Sequence, residues 1–183
     1  MGKIAVVTFA KEYSKRLENK NLKILLGQPL LRWTVDFAKQ LDYQYYVFTP
    51  DQKIKDMVDD CLIIDEPNWC LPDECNICKK FKYVNEIMGA DIIILLQVTN
   101  PLRDLGLVNK WIKKFVKSKN LSGYSVCNGK ENGSFYIFRK EQLDKINIRD
   151  SYSMLFDDIY DINIDIDTQS DFDRAEKTMR GDI

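Results

Sequence analysis

Two aspartates separated by one residue lie at the end of "DINIDID", Asp161 to Asp167. Isoleucines alternate with polar residues there, which predicts a strand with Asp165 and Asp167 on the same side. Neighbouring carboxylates repel each other unless a cation lies between them. Mg²⁺ prefers oxygen ligands and takes one or two protein carboxylates together with phosphate oxygens. We therefore predict that Asp165 and Asp167 hold Mg²⁺, the alternative being a solvated edge strand.

A basic segment, "AKEYSKRLENKNLK", follows the first predicted strand. It carries five cations and a hydroxyl, from Lys11, Ser14, Lys15, Arg16, Lys20 and Lys23. Cations and backbone N–H groups neutralise the charge of a polyphosphate. The segment lacks the glycines of a P-loop or of a dinucleotide-binding fingerprint. It is therefore either a triphosphate-binding loop of another kind or a solvent-exposed charged loop.

A polar turn ends the most apolar segment of the chain. The aliphatic residues 92–96 are followed by "QVTNPLR", Gln97 to Arg103. Gln97 can make a bidentate contact to a base or ribose edge, and Arg103 can bind a carboxylate or a phosphate. Thr99 and Asn100 add a hydroxyl and a second amide. The pattern predicts a recognition turn.

Strands and helices alternate along the chain. Apolar runs predict buried strands at "KIAVVTFA", "YQYYVFT", "CLIID" and "ADIIILLQ". Two shorter strands, "YSVCNG" and "SFYIFR", are separated by the turn-rich "NGKENG", and "DINIDID" is the last strand. Helices are predicted at "PLLRWTVDFAKQL", "DQKIKDMVDD", "DECNICKKFKYVNEIMG", "DLGLVNKWIKKFVKS" and "SDFDRAEKTM". Thr168 and Asp171 form a capping pattern at the start of the last helix.

This alternation predicts an α/β layer fold around a mostly parallel sheet. Such sheets bind ligands in the crevice outside the carboxyl ends of the strands. The basic segment, the polar turn and the acidic pair each follow a strand, so all three are expected at one edge of the sheet. Together they fit Mg²⁺-assisted nucleotidyl transfer, in which positive charge stabilises the transferred phosphate and the leaving pyrophosphate.

Composition narrows the class of protein. The 183 residues suffice for one domain, and 45% of them are apolar, which argues against disorder. A net charge of −1 argues against a general nucleic-acid binder. No apolar run reaches the length of a membrane span and "MGKIAVV" lacks a signal cleavage site, so a cytoplasmic protein without a membrane partner is expected. The absence of histidine excludes a Ser-His-Asp triad.

Four of the five cysteines cluster in sequence, at Cys61, Cys70, Cys75 and Cys78. Their spacing lacks the paired C-x2-C knuckles of common zinc sites. An odd count without a secretory signal favours reduced thiols, with a metal site as the alternative.

Three motifs resemble those of the acylneuraminate (CMP-sialic acid synthetase-like) cytidylyltransferases and, more distantly, of the CMP-KDO synthetases. "FAKEYSKRLENKN", from Phe9 to Asn21, is similar to the family's "PARGGSKR…KN". "LLQVTNPLR" is similar to "LLQPTSPLR", and "IDIDTQSDFDRAE" to "IDIDTPEDF…AE". A weaker match, "NGSFYIF", resembles "NGAIYI".

The resemblance implies a three-layer α/β/α sandwich related to the Rossmann fold, and transfer of CMP from CTP to a small acid sugar with release of pyrophosphate. The residues expected to act in catalysis are Lys15, Arg16, Asp165 and Asp167, the last two holding Mg²⁺. Those expected to bind the nucleotide are Lys11, Ser14, Lys15, Arg16, Lys20, Asn21 and Gln97. Those expected to bind the co-substrate are Gln97, Thr99, Asn100 and Arg103.

The chain also departs from the family pattern. Lys11 replaces an arginine, and Glu12 and Tyr13 replace glycines. The segment from about 104 to 133 is short compared with the family's dimerisation and acceptor segment, so we expect a single domain over 1–183 without the family-type dimer. Two alternatives stay open: a nucleotidyltransferase of the same fold with another nucleotide or a non-sugar acceptor, and a catalytically silent nucleotide-binding or interaction domain.

Overall fold

The computed structural model describes residues 2–70, 77–144, 153–157 and 164–182. Its strands are β1 Ile4–Phe9, β2 Ile24–Leu25, β3 Gln28–Pro29, β4 Gln44–Thr49, β5 Leu62–Asp65, β6 Ile92–Leu95, β7 Ser122–Cys127, β8 Lys130–Arg139 and β9 Met154–Asp157. Its α-helices are α1 Leu30–Ala38, α2 Gln52–Met57, α3 Ile77–Met88, α4 Leu105–Lys117 and α5 Gln169–Arg180.

Seven of these strands form one sheet in the order β5-β4-β1-β6-β8-β7-β9, and β2 pairs with β3 separately. The pairs β1–β4, β1–β6, β4–β5 and β7–β9 are parallel, whereas β8 runs antiparallel to β6 and β7. The prediction of a mostly parallel α/β sheet is therefore confirmed.

Helices cover both faces of this sheet. Successive strand residues point to opposite faces, so Val6 and Ile94 pack into a core with α1, α4 and α5, whereas Val7 and Leu95 pack into a second core with α3. The expected three-layer sandwich is confirmed. The described residues contain no helix long and apolar enough to cross a membrane.

The β7–β8 hairpin differs from the predicted one. Asn128 and Gly129 alone make the turn, with φ of 51° and 73°, and β8 begins at Lys130. An Asn-Gly pair with positive φ closes a tight hairpin, so the predicted turn "NGKENG" was too long. Gly133, with φ of 69°, lies inside β8 near an irregularity in the β7–β8 pairing register. A residue that resembled loop sequence is thus a bulge position.

The predicted last strand "DINIDID" is wrong where it is described. Residues 164–167 pair with no described strand, and 161–163 lie outside the described residues. The segment is joined to the turn after β6 by one hydrogen bond, from Ile166 N to Thr99 O at 2.8 Å, rather than by a ladder. Its alternation holds, because Ile166 is buried and the flanking aspartates are partly exposed. The sheet instead ends in β9, which the sequence did not predict.

The start of α5 is the predicted capping box. The Thr168 hydroxyl accepts from Asp171 N at 3.3 Å, and the Asp171 carboxylate accepts from Thr168 N at 2.9 Å. This reciprocal pair ends the acidic segment and begins the helix at a fixed point.

Candidate active site

A cleft of about 700 Å³ lies at the carboxyl ends of β1, β4, β5 and β6. Eleven of its lining residues come from the three predicted elements: Ala10, Lys11, Ser14, Arg16, Lys20, Asn21, Gln97, Val98, Thr99, Asp165 and Asp167. The edge expected from the parallel sheet is therefore where the basic segment, the polar turn and the acidic pair meet.

Two cations of the basic segment hold Asp167. Lys20 Nζ lies 3.0 Å from one carboxylate oxygen of Asp167, and Arg16 Nη1 lies 2.7 Å from the other. Lys20 Nζ also donates to Ile166 O at 2.7 Å, and its side chain is only 11% exposed. The Arg16 side chain is 71% exposed. Lys20 is thus a fixed part of the site, whereas Arg16 can turn toward a ligand without losing buried contacts.

The rest of the basic segment is held by contacts within the segment and by contacts with residues 51–53. Asn21 Nδ2 donates to Lys11 O at 2.8 Å, which ties the two ends of the segment together. The Glu12 carboxylate forms an ion pair with Lys53, and its backbone N–H donates to Asp51 at 2.7 Å. Glu12 does not line the cleft. Its negative charge is therefore balanced outside the region that the cations face.

Asp165 lies beside the polar turn and β8. A Cβ added to Gly133 would come within 2.9 Å of the Gln97 amide oxygen and 3.6 Å of Asp165 Cγ. Only a residue without a side chain fits between them, and the positive φ of Gly133 requires glycine as well. Gln97 also accepts from Thr99 Oγ1 at 3.4 Å. Asp165 makes no hydrogen bond or ion pair with the residues that the structure describes, so its oxygens can bind a cation.

The acidic pair could hold a divalent cation. The described residues contain no cluster of three or more His, Cys, Asp or Glu side chains with metal-site geometry. Two carboxylates beside a cationic loop nevertheless fit Mg²⁺, which takes one or two protein carboxylates and completes its shell with phosphate oxygens and water. The Asp165 carboxylate can bind a cation directly, whereas the Asp167 carboxylate is already paired with Arg16 and Lys20.

The structure does not bring Lys15, Asn100 and Arg103 to the cleft. Lys15 is exposed. The buried Asn100 donates to Asn132 O at 3.2 Å, and Arg103 Nε donates to Ser134 O at 2.8 Å. Asn100 and Arg103 therefore fix the polar turn against β8, and the predicted contacts of all three with a substrate stay predictions.

The cytidylyltransferase family model matches residues 5–157. The chain belongs to the cytidylyltransferase family. It is a nucleotidyltransferase enzyme, and the resemblance to the cytidylyltransferases inferred from the sequence motifs is confirmed.

Solved structures agree on the fold. A CMP:2-keto-3-deoxy-manno-octonic acid synthetase complexed with CTP superposes with a TM-score of 0.79 at 17% identity, over 99% of this chain and 100% of the other. The 4-diphosphocytidyl-2C-methyl-D-erythritol synthase of Anaerococcus prevotii gives 0.68 at 14% identity, over 97% and 98%. Rv0371C of Mycobacterium tuberculosis H37Rv, in complex with manganese, gives 0.69 at 14% identity, over 97% and 100%. At these identities the similarity shows the fold alone.

Several residues that line the cleft of this cytidylyltransferase were not predicted as site residues from the sequence: Phe9, Phe48, Glu66, Ile77, Lys80, Leu95, Glu131 and Tyr136. Glu66 directly follows β5 and could have been found by the same rule that located the polar turn. Lys80 lies on α3, and Glu131 lies on a strand that was read as a turn. Neither carried a sequence signal.

The cysteine cluster does not form a described metal site. Cys61, Cys70 and Cys78 form no disulfide among the described residues, and Cys75 lies outside them. Burial, together with the nearby Asp60 carboxylate, raises the pKa of Cys61 to about 11. Its thiol is therefore protonated at neutral pH, as expected of a cysteine without a catalytic role.

Proposed function

We propose that this enzyme transfers CMP from CTP to an acid sugar, a nonulosonic acid or a related compound, with Mg²⁺ and with release of pyrophosphate. The observation that carries the proposal is the meeting of Arg16, Lys20 and the acidic pair beside Gln97 in one cleft of a cytidylyltransferase chain. The motif resemblance supports an acid sugar, as does the fold of the neighbouring CMP:2-keto-3-deoxy-manno-octonic acid synthetase solved with CTP.

Lys20 and Arg16 have different roles because Lys20 is held in place and Arg16 is exposed and can move. Lys20 keeps its place through Ile166 O and offers a fixed positive charge to a phosphate. Arg16 is exposed and can leave Asp167 for a phosphate oxygen, to which its planar fork is suited. That movement releases one carboxylate oxygen of Asp167. The acidic pair then presents oxygens from both aspartates at the place where the triphosphate arrives.

Asp165 and Asp167 would hold the metal. When bound, Mg²⁺ supplies positive charge that stabilises the transferred phosphate and the leaving pyrophosphate. Support for a divalent ion comes from the donor set of two carboxylates and from the fold neighbour Rv0371C, which was solved with manganese. Because positioning and charge stabilisation suffice for phosphoryl chemistry, no covalent intermediate on the protein is needed.

The test measures pyrophosphate release with CTP, UTP, ATP and GTP, each with Mg²⁺ and a panel of acid sugars and one alcohol phosphate. We expect release with CTP and at least one acid sugar. Release with another nucleotide, or only with the alcohol phosphate, would favour the same-fold alternative. Binding of nucleotides without any turnover would favour a catalytically silent domain. Asp173→Asn, an exposed acid on α5 outside the cleft, is the matched control for variants of the acidic pair.

A further inference from the structure

Glu66 is a buried carboxylate in the cleft that phosphate and metal binding do not explain. Its side chain is 1% exposed, and its backbone N–H donates to Thr49 O at 3.2 Å, which fixes it at the end of β5. Lys11 Nζ and Lys80 Nζ lie 3.1 and 2.9 Å from the same oxygen, Oε1. The other oxygen, Oε2, is buried and has no hydrogen-bond partner in the part of the chain that the structure describes.

An arrangement of this kind calls for a donor. A buried carboxylate needs compensating charge, which the two lysines provide, and it needs hydrogen bonds to both oxygens. Carboxylate oxygens can only accept. A buried polar atom left without a partner is rare in native proteins and requires an explanation. The missing partner of Oε2 is therefore a hydrogen-bond donor, and a phosphate is excluded because it carries only negative charge and acceptor oxygens.

The position of Glu66 indicates which part of a nucleotide would supply the donor. Glu66 follows β5, whereas the acidic pair lies by the turn after β6. Three strand spacings separate β5 from β6, about 14 Å at about 4.8 Å per spacing. With the triphosphate held at the acidic pair, the far end of the cleft receives the nucleoside.

The walls near Glu66 suit a flat aromatic ring. Phe9, Phe48 and Ile77 line the same cleft, and the rings of Phe9 and Phe48 lie 4.9 Å apart. Apolar and aromatic walls with a few placed polar groups are typical of small-molecule sites. A pyrimidine base fits such walls better than a ribose, whose hydroxyls would face apolar carbon.

We propose that Oε2 of Glu66 accepts a hydrogen bond from the 4-amino group of cytosine and thereby selects CTP over UTP. The inference rests on the proposed function, because it takes a pyrimidine triphosphate as the ligand. Uracil places an acceptor oxygen where cytosine places its amino group, so UTP would set two acceptors against each other. A site built around one hydrogen-bonding group rejects analogues lacking it much more strongly than an apolar pocket rejects a missing methylene.

The experiment measures dissociation constants with Mg²⁺ for CTP, UTP, 2′-deoxy-CTP and the triphosphate of pyrimidin-2-one riboside, which lacks the 4-amino group. The proteins are the wild type, Glu66→Gln, and Glu86→Gln as the matched control, since Glu86 is exposed on α3. We expect the preference for CTP over UTP to fall by about 10- to 100-fold in Glu66→Gln, because the glutamine amide can donate to uracil. Glu86→Gln keeps the wild-type ratio.

The remaining outcomes separate this inference from the proposed function. An equal loss of CTP and UTP affinity in Glu66→Gln would mean that Glu66 only positions its lysines, and would overturn the inference. A change confined to the CTP/2′-deoxy-CTP ratio would assign Glu66 to the ribose instead and overturn it too. A wild type that binds no nucleotide overturns the proposed function itself. If Glu66→Gln fails to fold, Glu66→Asp replaces it, and wild-type protein that binds the pyrimidin-2-one triphosphate as tightly as CTP refutes the inference.

Discussion

Replacing each aspartate of the acidic pair separately should give two different phenotypes. Asp165→Asn removes a carboxylate that makes no hydrogen bond or ion pair with the part of the chain that the structure describes. Asp167→Asn removes a carboxylate that pairs with both Arg16 and Lys20. We expect both variants to lose pyrophosphate release, because each would remove a metal ligand, but only Asp167→Asn to lose stability.

The size of the stability difference follows from burial. Lys20 is 11% exposed and would keep only Ile166 O as a partner, which costs about 1–2 kcal/mol. The contact with Arg16 adds at most about 0.5 kcal/mol, since that side chain is 71% exposed and its pair is screened by water. For a chain of 183 residues the sum corresponds to a fall in Tm of about 2–10 °C. Asp165→Asn should stay within about 0.5 kcal/mol of the wild type.

Thermal unfolding by circular dichroism and pyrophosphate release, measured on the same preparations, decide the matter. Asp173→Asn is the control and should match the wild type in both. Equal Tm losses for the two site variants would show that the ion pairs of Asp167 do not act as described. Full activity in Asp165→Asn would remove that residue from the metal site.

Three further predictions test other parts of the structure. Gly133→Ala and Gly129→Ala should each destabilise the protein by about 1 kcal/mol, because both positions have positive φ. Only Gly133→Ala should also lower pyrophosphate release, because its Cβ would push the Gln97 amide, whereas nothing lies within 4 Å of a Cβ at Gly129. Equal activity in the two variants would contradict this placement. Burial alone would raise the pKa of Asp171, but the capping hydrogen bonds outweigh burial and lower the pKa. The ionised Asp171 carboxylate therefore stabilises the fold above about pH 4, and this stabilisation is lost as pH falls. The difference in unfolding free energy between wild type and Asp171→Ala, about 1 kcal/mol at pH 7, should shrink toward pH 3, and a difference that grows there would refute the prediction. Light scattering together with a structure of the assembly should find a monomer or an assembly other than the family-type dimer. A dimer built on residues 120–133 and closing over the cleft would contradict this.

The sequence predicted the sheet and the cleft because both depend on strong local patterns. Strands such as "IAVVTF" and "IIIL" are continuous apolar runs, and their parallel pairing sends the chain segments that follow them to one edge. The capping box at Thr168 was readable because it needs only two residues three positions apart. These features are set by neighbours in sequence.

The features that the sequence did not reveal depend on contacts between residues that are distant in sequence. Whether Asp165 lies on a strand is decided by its pairing partners, and one hydrogen bond to Thr99 took the place of a ladder. Gly133 looked like turn sequence because its role, leaving room for the Gln97 side chain, is visible only when β8 lies beside the polar turn. The contact of the Arg103 guanidinium with the backbone of β8 at Ser134 could not be read from the sequence either, and the predicted contact of Arg103 with an anion stays a prediction.

Transfer of label from CTP labelled at the α-phosphate tests the central claim most directly. With Mg²⁺ and an acid sugar, the wild type should move the label into a CMP-sugar in equal amount to the pyrophosphate released, and Asp165→Asn should do neither. Pyrophosphate release without labelled CMP-sugar, or label transfer that continues undiminished in Asp165→Asn, would contradict the account.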